Sequence, residues 1–191
     1  MGFLRSQHLH LQKIFTMQPG DSLLSFQLKG SDQQMHRSDE LHKRDASVII
    51  FSCNHCPYVR AYVTRIRDLI QRYQNRNVGF FLINANDAGQ YPEDSFEHMI
   101  PMAEHLGIGG NYLHDETQEI AKAYGAERTP EVFVFDKNRR LVYQGAIDDN
   151  WEKPDEVSIH YLKAALDAVL ENQEVLVKET QARGCTIKWK K

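Results

Sequence analysis

The chain has 191 residues, 41% of them apolar and 26% charged, with a formal net charge of −3. Length and balance fit one globular domain with a sizeable core, and the weakly negative charge argues against the clustered cationic face that nucleic-acid partners require. No apolar stretch approaches the ~18 residues that span a bilayer, so no membrane partner is expected.

Residues 1–12 lack a continuous hydrophobic run and a small-residue cleavage site, which argues against a secretory signal and makes the cytoplasm the expected location. Met1-Gly2 followed by Ser6 fits the bare N-myristoylation pattern. Residues 1–19 read as an extended leader, and residues 20–191 as a single domain. Leu23, Phe26 and Leu28 suggest an early strand. Continuous apolar runs at 48–51 and 78–83 read as strands buried on both faces. Between them Val59, Val63, Ile66, Ile70 and Tyr73 form one helical stripe, so the unit is a right-handed parallel crossover. Arg60, Arg65, Arg67, Arg72 and Arg76 read as the solvated face of that helix.

A second helix is expected from Tyr91 through Leu106, kinked or divided at Pro101, which lacks the N–H the ladder needs. Asp115 with Gln118 resembles a capping box for a short helix that stops at Gly125. A strand at 132–135, a polar turn at 136–139 and a strand at 141–145 read as a hairpin. A last amphipathic helix is expected over about 156–170, with Ile159, Leu162, Leu166 and Val169 inward. The fold class is α/β, a central mixed sheet flanked by helices on both faces.

Chemistry concentrates on the three cysteines, Cys53, Cys56 and Cys185. Three is too few and too odd a number for a disulfide scaffold, whereas a close pair points to redox or metal chemistry. Cys53-Asn54-His55-Cys56 sits between a buried strand and an amphipathic helix, with Pro57 in the first turn. Unpaired N–H groups and the dipole at a helix N-terminus stabilise a thiolate. His55 beside the sulfurs could lower a thiol pKa further, which makes the disulfide a better oxidant. A structural metal site needs about four ligands; no second Cys pair is present and His8, His10, His36 and His42 are scattered, so no metal is expected. Ile187 and Trp189 alternate after Gly184-Cys185 like a short docked strand. Cys185 is either a small residue filling a gap or a second resolving thiol.

Three stretches resemble thioredoxin-like proteins of the alkyl hydroperoxide reductase and thiol-specific antioxidant (peroxiredoxin-like) group: Phe51-Ser52-Cys53-Asn54-His55-Cys56-Pro57-Tyr58-Val59, the segment containing Thr129-Pro130-Glu131, and Gly184-Cys185-Thr186-Ile187-Lys188-Trp189. The first is similar to a Cys-Asn-His-Cys-Pro-Tyr-Val subgroup. The resemblance implies a thioredoxin-like fold with a cis Pro130 against the dithiol, leaving the backbone before it free to pair with an extended peptide. Catalytic residues are then Cys53, Cys56, His55 and Pro130, with Thr129 and Asn54 binding substrate. Arg128 could stabilise a thiolate and Glu131 accept a proton.

The activity expected is thiol–disulfide exchange in which Cys53, as the exposed thiolate, attacks and Cys56 resolves, with no bound cofactor. The alternatives are a thiol-dependent peroxidase, or a metal-handling module on the same fold. Ser52 and Asn54-His55 depart from the thioredoxin pattern, and Cys53 stands where peroxiredoxins carry Thr or Ser. Expected partners are a protein or small-molecule disulfide and a protein that resets the pair, with a homodimer as a further option.

Overall fold

The computed structural model describes residues 16–191; the Met1-Gly2 pattern, His8, His10 and most of the expected leader lie outside the described residues. The architecture grows from strands with no exposed residue. These are β3 (Ala46–Ser52) and β4 (Val78–Asn84), preceded by β1 (Gln27–Gly30) and β2 (Met35–Arg37). Then follow β5 (Tyr112–His114), β6 (Arg128–Thr129), β7 (Glu131–Asp136), β8 (Leu141–Gly145) and, near the C-terminus, β9 (Cys185–Thr186). Seven of them form one sheet in the order β2-β1-β5-β4-β3-β7-β8, and β6 pairs with β9 apart from it. β3, β4 and β5 run parallel, and the outer strands join antiparallel.

Alternation along the buried strands sends side chains to two cores. Val48, Ile50, Phe80, Leu82, Val132 and Val134 meet helices α1 (Pro57–Tyr73), α2 (Phe96–Leu106) and α4 (Tyr161–Leu170). Ile49, Phe51, Phe81, Ile83, Phe133 and Phe135 meet helix α3 (Glu119–Tyr124) and Met17. The mixed sheet with helices on both faces is therefore as expected. Met17 is fully buried and its N–H donates to the Tyr124 carbonyl. No helix among the described residues is long and apolar enough to cross a membrane.

Several boundaries differ from expectation, each for a local reason. The stretch from Tyr91 is divided at Ser95, an extended residue between a single 3-10 turn (Pro92–Asp94) and α2, and α2 continues through Pro101. Asp115 and Gln118 do not form a capping box. Gln118 holds a positive φ of 64°, and the Asp115 carboxylate accepts from the Ala121 N–H at 2.8 Å. Helix α4 starts only at Tyr161, since the preceding segment is extended and bonded to Asp149: Asp149 N–H donates to the Ile159 carbonyl and Ser158 N–H to the Asp149 side chain. Ile159 is consequently 48% exposed rather than inward.

Phe51 ties the sheet to the site that follows it. Its ring lies 5.5 Å from Tyr124 and 5.7 Å from Phe133, both edge-on, and it is fully buried. Phe51→Ala should cost about 3–5 kcal/mol of unfolding free energy by denaturant titration. A loss below about 1 kcal/mol would mean the site is not anchored through this ring.

Candidate functional site

Residues 53–56 leave the end of β3 and enter α1, with Cys56 as N-cap and Pro57 in the first turn. The loop is held from beneath by Asp94, a fully buried carboxylate. Its Oδ1 accepts from the backbone N–H of Asn54 (2.7 Å) and of His55 (3.1 Å). Its Oδ2 bonds His55 Nδ1 (2.5 Å) and accepts from Asn86 Nδ2 (2.6 Å). The Asn54 side chain is also fully engaged, donating to the Glu93 carbonyl (3.0 Å) and accepting from Tyr112 Oη (2.9 Å). The Asn54 side chain thus fastens the loop, and His55 bonds Asp94, its ring stacked on Tyr91 at 5.2 Å. Donor atoms of Cys53, His55 and Asp94 lie within 4.8 Å of one another. Both Asp94 oxygens are already committed to N–H donors, which makes the carboxylate a loop anchor before it is a ligand.

Both Cys53 and Cys56 are 0% exposed, so neither presents the open thiol expected of Cys53. Thr129 touches both: its Oγ1 is 3.2 Å from Cys53 Sγ and its carbonyl oxygen 3.4 Å from Cys56 Sγ. The Thr129–Pro130 bond is cis, as the resemblance implies. Electrostatics divides the two thiols. The hydrogen bond to Cys56 raises the Cys53 thiol far above its usual range, helped by burial and the Asp94 charge. Cys56 moves the opposite way, held low by the Cys53 hydrogen bond and, against burial, by Cys185 and the backbone N–H groups of Val59 and Cys185. The favoured thiolate is therefore Cys56 at the helix N-terminus.

The third cysteine joins them. Cys185 Sγ lies 2.8 Å from Cys56 Sγ, well short of an ordinary contact but beyond the ~2.05 Å of a disulfide. All three cysteines are free, and no pair stands at bonding distance. Cys185 is carried on β9, whose register places it opposite Thr129. The backbone before Pro130, expected to be open, is thus occupied by the chain's own C-terminal strand. Arg128 and Glu131 serve that arrangement rather than the sulfurs. Arg128 Nη1 donates to the Gly184 carbonyl at 2.9 Å. Glu131 accepts from the backbone N–H groups of Glu127 and Arg128, and burial raises its pKa. Sequence reasoning missed Asp94, Asn86 and Tyr112. Its one available signal was an acidic residue directly before a helix-starting Ser95, and helical periodicity absorbed that.

A family model described as Redoxin matches residues 18–161, and the chain belongs to that family. A search of curated proteins found no match. Among solved structures the chain is similar to an uncharacterized conserved protein from Geobacillus kaustophilus, with 42% identity over 91% of this chain and 93% of that one, at a TM-score of 0.85. It is likewise similar to a hypothetical protein from Sinorhizobium meliloti, with 32% identity, 92% and 96% coverage and a TM-score of 0.85. A thiol:disulfide interchange protein from Chlorobium tepidum shares the thioredoxin-like fold at 16% identity, 82% and 97% coverage and a TM-score of 0.59. The chain is thus a thioredoxin-like, thiol-based redox protein of the Redoxin family.

The divided thiols give stability a signed pH dependence. Between its depressed native pKa and the ordinary thiol value of ~8.5, Cys56 is ionised when folded and protonated when unfolded, so its contribution grows as pH rises through that window. In a reduced protein without thiol reductant, the stability gap between wild type and Cys56→Ser should widen from about pH 6 to about pH 8. A gap that narrows over that range in denaturant titrations would reverse the assignment.

Proposed function

We propose that the protein is a thiol–disulfide oxidoreductase in which Cys56 attacks and Cys53 resolves. The observation that carries this reading is the convergence of both sulfurs on Thr129, beside a cis proline and at the N-terminus of α1. The order of attack departs from the sequence expectation because the favoured thiolate is Cys56. The Cys-Asn-His-Cys-Pro-Tyr-Val stretch supports placing the chain in the peroxiredoxin-like subgroup that it resembles.

With the client displacing β9 from Thr129, the Cys56 thiolate attacks one sulfur of a client disulfide, forming a mixed disulfide and releasing the first client thiolate, which takes a proton from solvent. Cys56 then carries no charge and no longer accepts from Cys53, which removes the main cause of the raised Cys53 thiol. Cys53 gives its proton towards the adjoining His55–Asp94 pair, attacks Cys56 Sγ, and expels the second client thiolate. The client gains two electrons and the protein holds a Cys53–Cys56 bridge. The same steps reversed oxidise a client dithiol. Only thiols take part, so the cycle draws on no bound cofactor.

The test uses a disulfide-linked peptide. Cys56→Ser should lower its reduction by about a hundredfold or more. The double variant Cys53→Ser, Cys185→Ser, which retains only the proposed nucleophile, should accumulate a mixed disulfide mapping to Cys56. Full activity of Cys56→Ser, or no adduct in the double variant, would refute the assignment.

A further inference from the structure

The C-terminal strand is fastened where a client peptide would pair. Thr129↔Cys185 and Arg128↔Thr186 are in antiparallel register, and Ile187 N–H donates to the Glu127 carbonyl at 2.9 Å. Lys188 N–H donates to Asn86 Oδ1 (2.9 Å), while Gln118 Nε2 donates to the Lys188 carbonyl (2.9 Å) and Gln118 Oε1 accepts from Lys190 N–H (2.8 Å). Gly184 permits the close approach, because a Cβ there would sit 2.2 Å from the Thr129 carbonyl oxygen. The strand seals Cys53 and Cys56 completely, whereas Cys185 itself is only half-buried. Of the three sulfurs it is the outermost, and it touches the central one.

We infer that Cys185 is a third redox thiol, the port through which the buried Cys53–Cys56 bridge is handed to an external dithiol. This rests on the exchange chemistry proposed above and adds the route by which the pair is reset. In the oxidised protein, Cys185 loses its proton to solvent and its thiolate attacks Cys56 Sγ. The Cys56–Cys185 bond forms, the Cys53–Cys56 bond breaks, and the electron pair leaves on Cys53, which takes up a proton. No net oxidation or reduction occurs; the bridge moves outward to a sulfur that a partner can reach. A partner dithiol then attacks Cys185 Sγ and expels Cys56 as thiolate, the best leaving group of the three. The partner's second thiol frees Cys185 and closes the partner's own disulfide, taking the two electrons' worth of oxidation with it.

The electrostatics of Cys185 favours the step. Cys185 is raised to about 11 by burial, by its hydrogen bond to Cys56 and by the Cys56 charge. In the bridged form Cys56 is neither charged nor accepting, so two of those three causes vanish when the attack is required.

The experiment follows re-reduction of oxidised protein by dithiothreitol, with acid-quenched alkylation and peptide mapping of the remaining bridge. Wild type should pass through a Cys56–Cys185 species, and Cys53→Ser should form that bridge directly on mild oxidation with oxidised glutathione. Cys185→Ser retains both thiols of the proposed pair and should still form Cys53–Cys56, but lose it to dithiothreitol about tenfold or more slowly. Cys185→Ala, which removes the sulfur without adding a hydroxyl and leaves Gly184 and the β9 pairing intact, should slow the same step and keeps the test valid if Cys185→Ser perturbs packing. Re-reduction of Cys185→Ser at the wild-type rate, or absence of a Cys56–Cys185 bridge in Cys53→Ser, would overturn the relay while leaving the dithiol reading standing. Absence of any Cys53–Cys56 bridge in Cys185→Ser would instead strike the dithiol reading itself.

Discussion

Everything at this site hangs on the burial of Asp94. A carboxylate taken fully out of water is costly unless hydrogen bonds replace its hydration, and here the replacements come from the backbone of Asn54 and His55 and the side chains of His55 and Asn86. Satisfying that charge fixes the loop between β3 and α1 against the turn that follows β4. The same constraint aims Asn86 at the C-terminal segment, since its Nδ2 serves Asp94 while its Oδ1 accepts from Lys188 N–H. One buried charge thus ties the loop, the strand end and the tail into a single frame.

That charge also orders the thiols. Asp94 disfavours a second anion at Cys53, whereas Cys56 stands at the helix N-terminus among hydrogen-bond donors. The negative charge of the reduced site therefore collects on the sulfur that touches Cys185. Packing and electrostatics agree: the thiolate lies between an inner thiol that can resolve it and an outer thiol on a strand held by its own fastenings. Arg128 belongs to those fastenings, and its guanidinium acts on the Gly184 carbonyl rather than on a sulfur.

The fold was largely legible in the sequence, because β3, β4 and β7 are continuous apolar runs that only a doubly covered sheet can bury. The placement of Cys53 and Cys56 between strand and helix was legible for the same reason. What escaped was set by tertiary contact. β6 is two residues long, with no periodicity to detect; a docked strand at β9 was legible in Ile187 and Trp189, but not its partner, since the pairing exists because Thr129 and Cys185 face each other across the chain. Gln118 looked like a helix cap, yet it adopts a positive φ and spends its amide on Ala85, Lys188 and Lys190. Asp94 sat inside an amphipathic pattern that gave no reason to bury a charge. The exposed Cys53 expected by analogy with a bare dithiol motif failed because a strand distant in sequence covers the site.

The most direct measurement is residue-resolved alkylation of the reduced protein by a small haloacetamide as a function of pH, read by peptide mass spectrometry. The account predicts that Cys56, reached by the small reagent when β9 opens, is modified ahead of Cys53 with a titration midpoint below the ordinary thiol value of ~8.5, while Cys53 remains unmodified across neutral pH. Earlier modification of Cys53, with Cys56 titrating at or above that value, would contradict it.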